Sequence, residues 1–207
     1  MDGNDSREIG PGESDDLAET GGDQATQDTV LSYPAAWVEL VELPDGQAVK
    51  IRPIRPQDAR ILRAAFKYLS TQTIFLRFHG SVTQLSEAQA RSYAEVDYRR
   101  RMAFVACLPE EKRDLVIGVA RYNILAPEDA GLAECAVVVG DLFQKRGIGS
   151  LLLNRLFRYA ITQGIREIQA TVHPSNQTVL RFIEKSGLAM TKKFSDGAWE
   201  IRVKLPE

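Results

Sequence analysis

Glu134-Cys-Ala-Val-Val-Val-Gly-Asp-Leu-Phe-Gln-Lys-Arg-Gly-Ile-Gly-Ser150 is the stretch that decides the architecture. The nearly all-apolar run 133–139 reads as a strand buried on both faces. After a turn, 147–163 reads as a helix, with Ile148, Leu151, Leu152, Leu156, Ala160 and Ile161 on its apolar side and Gly164 as its stop. A strand that runs through a glycine turn into a helix aims the free N–H groups of the first helical turn at one point. The helix dipole adds partial positive charge there. The loop Gln144–Ser150, with the spacing Gln144-x-x-Gly147-x-Gly149 and including Ile148 and Ser150, is therefore read as a seat for a pyrophosphate. Gly147 and Gly149 let the backbone approach phosphates without a Cβ in the way, and Lys145 and Arg146 supply charge. The plainer alternative is a glycine-containing first turn of any buried helix.

Outward from this stretch the chain punctuates itself clearly. Upstream, 37–43 alternates as a strand, Asp45-Gly46 is a turn, and 47–54 returns as a hairpin partner. Arg55-Pro-Gln-Asp58 leads into a helix carrying Ala59, Leu62, Ala65, Phe66 and Leu69, followed by a short helical piece over 70–78. Ser86-Glu-Ala-Gln89 has the form of a capping box and opens a helix to about Val96. Strands are predicted over 102–108 and 115–122. Downstream come a strand over 167–172, a helix over 176–186 stopped by Gly187, and strands over 188–194 and 198–205 about Asp196-Gly197. Strand, helices, three strands, helix, strand, helix and hairpin make an α/β (α+β) chain with a mixed sheet covered by helices.

Charge divides the 207 residues into two parts. Residues 1–30 hold nine acids and Arg7, a net −8, while 31–207 carry +6. Apart from Met1, the only large apolar residues in 1–30 are Ile9, Leu17 and Val30, too few to offset the entropy of ordering. The expectation is an acidic disordered tail over 1–30, serving solubility or lying as a weak cover on the basic part, and one folded domain over 31–207. The basic excess suits an anionic ligand such as a nucleotide. Nucleic acid is not an expected partner, since aromatic interleaving and a basic helix face are missing. No run approaches the roughly 20 apolar residues of a membrane span, and the start lacks the features of a signal peptide. A cytoplasmic protein is expected, with Cys107 and Cys135 as buried reduced thiols. Two histidines and two scattered cysteines have no metal-site spacing, so no metal is expected. The expected assembly is a monomer or a homodimer.

The Gln144–Ser150 loop and the late segment Asn176-Gln-Thr-Val-Leu-Arg-Phe-Ile-Glu-Lys-Ser-Gly-Leu188 resemble the corresponding motifs of the GCN5-related N-acetyltransferases, the GNAT family. That resemblance implies a mostly antiparallel central sheet flanked by helices, and acetyl-CoA as cosubstrate. It implies that Val137, Val138 and Val139 lie on a strand that splays from its neighbour and pairs with pantetheine, one backbone N–H polarising the thioester carbonyl. Asn176 would bond the cofactor arm and Phe182 would pack near it. Ile183 stands where the family often has a tyrosine that protonates the leaving thiolate; isoleucine cannot do so.

Residues 49–190 further resemble the bacterial Pat-type protein lysine acetyltransferases. The carriers are Ile51-Arg-Pro-Ile-Arg-Pro-Gln-Asp58, Leu76-Arg-Phe78, Asp97-Tyr98, Met102-Ala-Phe-Val-Ala106, Ile117-Gly-Val-Ala-Arg121 and Ala133-Glu-Cys-Ala-Val-Val-Val139. In that group a glutamate on this strand is the base, matching Glu134. Glu134 lies just ahead of an apolar run, where a carboxylate becomes more basic, as a group accepting a proton from an ammonium requires. A solvent-facing strand-end glutamate is the plainer alternative. The resemblance implies transfer of acetyl from acetyl-CoA to a protein lysine, on a partner such as an acetyl-CoA synthetase or another acyl-CoA synthetase. The alternatives are a small-amine acceptor, or a non-catalytic acyl-CoA sensor. Among the remaining residues, Arg77 and His79 are placed at an acceptor cleft or at the surface. His173 and 99–101 are read as loop residues, and Asp97-Tyr98 as a loop cap.

Overall fold

The computed structural model describes residues 32–80, 82–109, 114–126 and 131–206. The tail expected over 1–30 lies outside the described residues. Among the described residues eight strands form one sheet, in the order β1-β2-β3-β4-β5-β6-β8-β7. They are β1 (Glu39–Glu42), β2 (Ala48–Pro53), β3 (Arg101–Leu108), β4 (Leu115–Asn123), β5 (Leu132–Val139), β6 (Glu167–Val172), β7 (Met190–Ser195) and β8 (Ala198–Lys204). The helices are α1 (Ala59–Phe66), α2 (Thr71–Phe78), α3 (Glu87–Ala94), α4 (Ile148–Thr162) and α5 (Gln177–Lys185). Every pairing is antiparallel except β5 with β6. The mostly antiparallel, helix-flanked sheet expected from the sequence is what the chain forms.

The predicted punctuation has visible physical causes. Gly46, Gly164, Gly187 and Gly197 all take positive φ, as the turns and helix stops at these positions require. Ser86 accepts from the Gln89 amide while the Gln89 side chain accepts from the Ser86 amide, closing the capping box of α3. Asn176 caps α5 through the Val179 amide. The Asp97 carboxylate accepts from the amides of Arg99, Arg100 and Arg101, so it caps a loop as expected.

Two layers cover the sheet. On one face α4 buries Ile148, Leu152 and Leu156 against Phe104, Ala120 and Tyr122. Trp37 joins this side, with its ring 5.0 Å from that of Tyr159. On the other face α1 and α3 bury Leu62, Phe66, Ala90 and Ala94 against Val105 and Val119. Arg52 of β2 is almost fully buried there, and both its terminal nitrogens meet Asp58, at 2.7 and 2.8 Å. Its Nε donates to Asp114 at 3.0 Å. Both thiols are free; Cys107 is buried, Cys135 only half-buried.

β5 corrects one expectation. Its apolar run predicts burial on both faces, yet only Ala133 is fully buried and the rest of the strand is half-exposed. Each face of the strand looks into a cavity rather than into packed side chains.

Candidate active site

β5 and β6 run together for three residues only, Leu132 with Glu167, Ala133 with Ile168 and Glu134 with Gln169. Beyond that, β5 stays paired with β4 as far as Val139 with Gly118, and β6 stays paired with β8 as far as Val172 with Trp199. The sheet therefore forks. The Gly140 amide donates to the Ile117 carbonyl on the β4 side at 2.8 Å. By strand alternation the N–H and C=O of Val139 and Val137 turn the other way, into the fork. The Val139 carbonyl confirms this parity, since it accepts from the Gln144 side chain at 3.0 Å rather than from β4.

A cavity of about 270 Å³ occupies the fork. Glu134 and Val137 of β5, Asn176 and Phe182 of α5, and Phe157 of α4 line it, as does Ile183. Phe157 and Phe182 are in ring contact, at 6.4 Å. From the opposite face α2 adds Leu76, Arg77 and His79, and the His79 ring Nε2 lies 3.1 Å from the Thr171 carbonyl on β6. Arg77 and His79 thus stand at the cleft. His173 is a loop residue, its Nδ1 bound to the Ser175 hydroxyl.

The turn after β5 stands at the end of the fork. Asp141 ties it to α2, accepting from the Ser70 amide and hydroxyl at 2.8 and 2.6 Å and from the Thr73 hydroxyl at 2.8 Å. Gln144 also reaches the Thr73 hydroxyl, at 3.1 Å. Lys145 and Gly147 both have left-handed backbones, φ +60° and +86°. Gly147 is the N-cap of α4 and offers no side-chain cap, so the amides of Ile148, Gly149 and Ser150 have no acceptor within the helix. Arg146 is not a free charge: its Nε and Nη2 hold Asp45 of the β1–β2 turn at 2.7 and 2.6 Å. The Gln47 amide and then Arg146 hold the Asp45 carboxyl below its ordinary value.

Of the residues singled out from the sequence, Glu134, Val137, Asn176 and Phe182 meet around one cavity, with the open amides of residues 148–150 at the head of α4. Val138 points to the opposite face of the sheet and joins the core under α1–α3. Val139 packs on the α4 side.

The family model described as Acetyltransferase (GNAT) family matches residues 68–188. The chain belongs to the GNAT acetyltransferase family. This GNAT protein is 33% identical over 143 residues to Acetyltransferase PA5475 of Pseudomonas aeruginosa, covering 69% of this chain and 75% of that one. It is 29% identical over 189 residues to Acetyltransferase Pat of Mycolicibacterium smegmatis, covering 83% of this chain and 55% of that one. Among solved structures, the GNAT domain of S. lividans PAT superposes with a TM-score of 0.75 at 28% identity, over 84% of this chain and all of that domain. As a GNAT enzyme it is an acetyl-CoA-dependent N-acetyltransferase.

Sequence reasoning missed two features of this GNAT site. One is the Asp141 clamp on α2, which joins residues 71 positions apart. The other lies outside the fork: Arg121, the single charge within the apolar run 115–122, lines a second cavity on the opposite face of β5, and its isolation in the sequence is the signal that marks it.

Proposed function

We propose that this enzyme transfers acetyl from acetyl-CoA to a lysine side chain of another protein, with an acetyl-CoA synthetase or related metabolic enzyme as acceptor. The observation that carries the reading is the carboxylate of Glu134 at the branch point of β5 and β6, beside a strand edge that has no ladder partner. The likeness to Pat proteins supports the choice of acceptor.

Acetyl-CoA lies along the fork. Its pyrophosphate takes the amides of residues 147–150, and its pantetheine pairs with the inward-turned backbone of Val137 and Val139. Val138, between them, contributes backbone only. Gln144 braces the loop rather than touching phosphate, and Lys145 supplies charge from the loop surface. Arg146 supplies it when it lets go of Asp45. Asn176 and Phe182 hold the cofactor arm.

Glu134 takes a proton from the lysine ammonium, directly or through a water. The neutral nitrogen attacks the thioester carbonyl carbon, a backbone N–H polarises the carbonyl oxygen, the carbon–sulfur bond breaks and coenzyme A departs as the thiolate, while the nitrogen, now carrying one proton too many, releases it to solvent as the amide forms. Ile183 gives that thiolate no proton, and a thiol of ordinary acidity leaves without one.

The test is thiol release from acetyl-CoA by the purified protein, with and without an acetyl-CoA synthetase, followed by mass spectrometry of the synthetase. Synthetase-dependent release with acetyl-lysine formed supports the reading. Release only with small amines would replace it, and tight acetyl-CoA binding without any turnover would leave a sensor.

A further inference from the structure

A second and larger cavity, of about 610 Å³, lies on the other face of β5, under α1, α2 and α3. That size is typical of a small-molecule site. Leu62, Phe66, Leu85, Val119 and Val138 form apolar walls. Tyr68 and Leu142, 84% and 89% exposed, also line it, so it opens to solvent beside them.

Two guanidinium groups stand in this apolar space, Arg77 from α2 and Arg121 from β4. Arg121 is only 8% exposed. One of its nitrogens donates to the Tyr93 carbonyl at 3.1 Å, and the group lies 4.4 Å from the centre of the Tyr93 ring. Arg77 lies 4.8 Å from the centre of the Phe78 ring. Among the described residues, neither forms an ion pair with a carboxylate. Asp114, on the cavity wall, is already held by Lys50 and Arg52. Glu134 attracts Arg77 from beyond ion-pair distance.

Arg52 shows the contrast. It is equally buried and meets two carboxylates. Burial and then the like charge of Arg77 pull the Arg121 pKa down to about 10, and burial lowers that of Arg77 as well. A buried cation beside a second, half-buried one is costly unless an anion joins them.

We propose that Arg77 and Arg121 form the anion-binding end of a site for a small carboxylate with an apolar body. The planar fork of a guanidinium matches a carboxylate in two hydrogen bonds, and the walls suit a hydrocarbon chain or ring better than a strongly hydrated phosphate. Arg77 also lines the acyl cleft, so a molecule held here lies next to Glu134. The site does not depend on the lysine-acceptor reading, and the two are tested by separate measurements.

The experiment is calorimetric titration of the full chain with 3-phenylpropionate and hexanoate, and with their neutral amides. The expected result is binding of at least one acid, with its amide at least tenfold weaker. The Arg121→Met variant loses at least tenfold for the acid while holding acetyl-CoA as before, which reports that it is folded. Equal affinity for acid and amide overturns the proposal, and this comparison needs no variant. So does the absence of binding by either acid in the millimolar range, or unchanged acid binding in Arg121→Met.

Discussion

Glu134 and Gln169 are the last pair at which β5 and β6 run side by side. One residue further along, the two strands are held only by their outer neighbours, β4 and β8. The carboxylate therefore sits at the vertex of a wedge, where a molecule entering between the strands ends.

Replacing Glu134 with Gln keeps the shape of that vertex and removes its basicity. The expected effect is a fall in kcat of about 10²–10⁴-fold, largest at low pH where less of the amine is neutral, with acetyl-CoA affinity retained. Thiol-release rates across pH, paired with calorimetry, check it. An unchanged rate would remove Glu134 from proton transfer.

The loop glycines separate backbone strain from ligand contact. A Cβ at Gly147 meets nothing within 4 Å, so Gly147→Ala suffers only from its φ of +86°. It should cost about 1–2 kcal/mol in urea unfolding. At Gly149 a Cβ makes an ordinary 3.7 Å contact with Val139 and no unusual φ is needed. Gly149→Ala should therefore be neutral or stabilising by about 0.5–1 kcal/mol, yet weaken acetyl-CoA. Full affinity in both variants would move the pyrophosphate elsewhere.

Asp58→Ala strands most of a buried cation. Arg52 keeps Asp114 but loses both bonds to Asp58. The Arg55 amide loses its acceptor too. A loss of about 3–5 kcal/mol is expected, read as a lower urea midpoint. A loss under about 1 kcal/mol, the range of an exposed pair, would contradict this account of the cluster.

Acid should loosen two ties in the same range. Burial works against the charge of both Asp114 and Asp141. The bonds from Lys50 and Arg52 to the first, and from Ser70 and Thr73 to the second, outweigh it and hold both carboxyls below their ordinary value. Each binds its proton less readily folded than unfolded. Their stabilisation is complete above about pH 4 and fades as the pH falls through the folded-state values. Unfolding free energies measured downward from pH 5 should decline, less steeply in Asp141→Asn. A flat profile would refute the assignment.

Much of this was legible in the chain because its punctuation is local. Gly164, Asn176 and the Ser86–Gln89 box act on neighbours three or four residues away, and each does what its spacing says. The strand predicted over 37–43 begins later, at Glu39, because Ala35–Trp37 forms a 3-10 turn that lays Trp37 on Tyr159. The half-exposure of β5 was hidden because a valine run looks the same beside a cavity as within a core. Arg146 read as a free positive charge because its partner, Asp45, is 101 residues away. Glu134, Val137, Asn176 and Phe182, singled out from motifs, line the fork cavity. The second cavity was not legible, since only the packing of three helices over β4 and β5 creates it.

The wedge has a thermodynamic corollary. A sheet with a missing rung is completed by whatever molecule hydrogen-bonds to Val137 and Val139, and such a molecule adds its binding free energy to that of the folded chain. At a hundredfold excess over its Kd that is about 2.7 kcal/mol. With acetyl-CoA as that molecule, as proposed above, the melting temperature of this enzyme becomes a gauge of the free cosubstrate around it, and its lifetime against proteolysis rises and falls with the supply of the molecule it consumes.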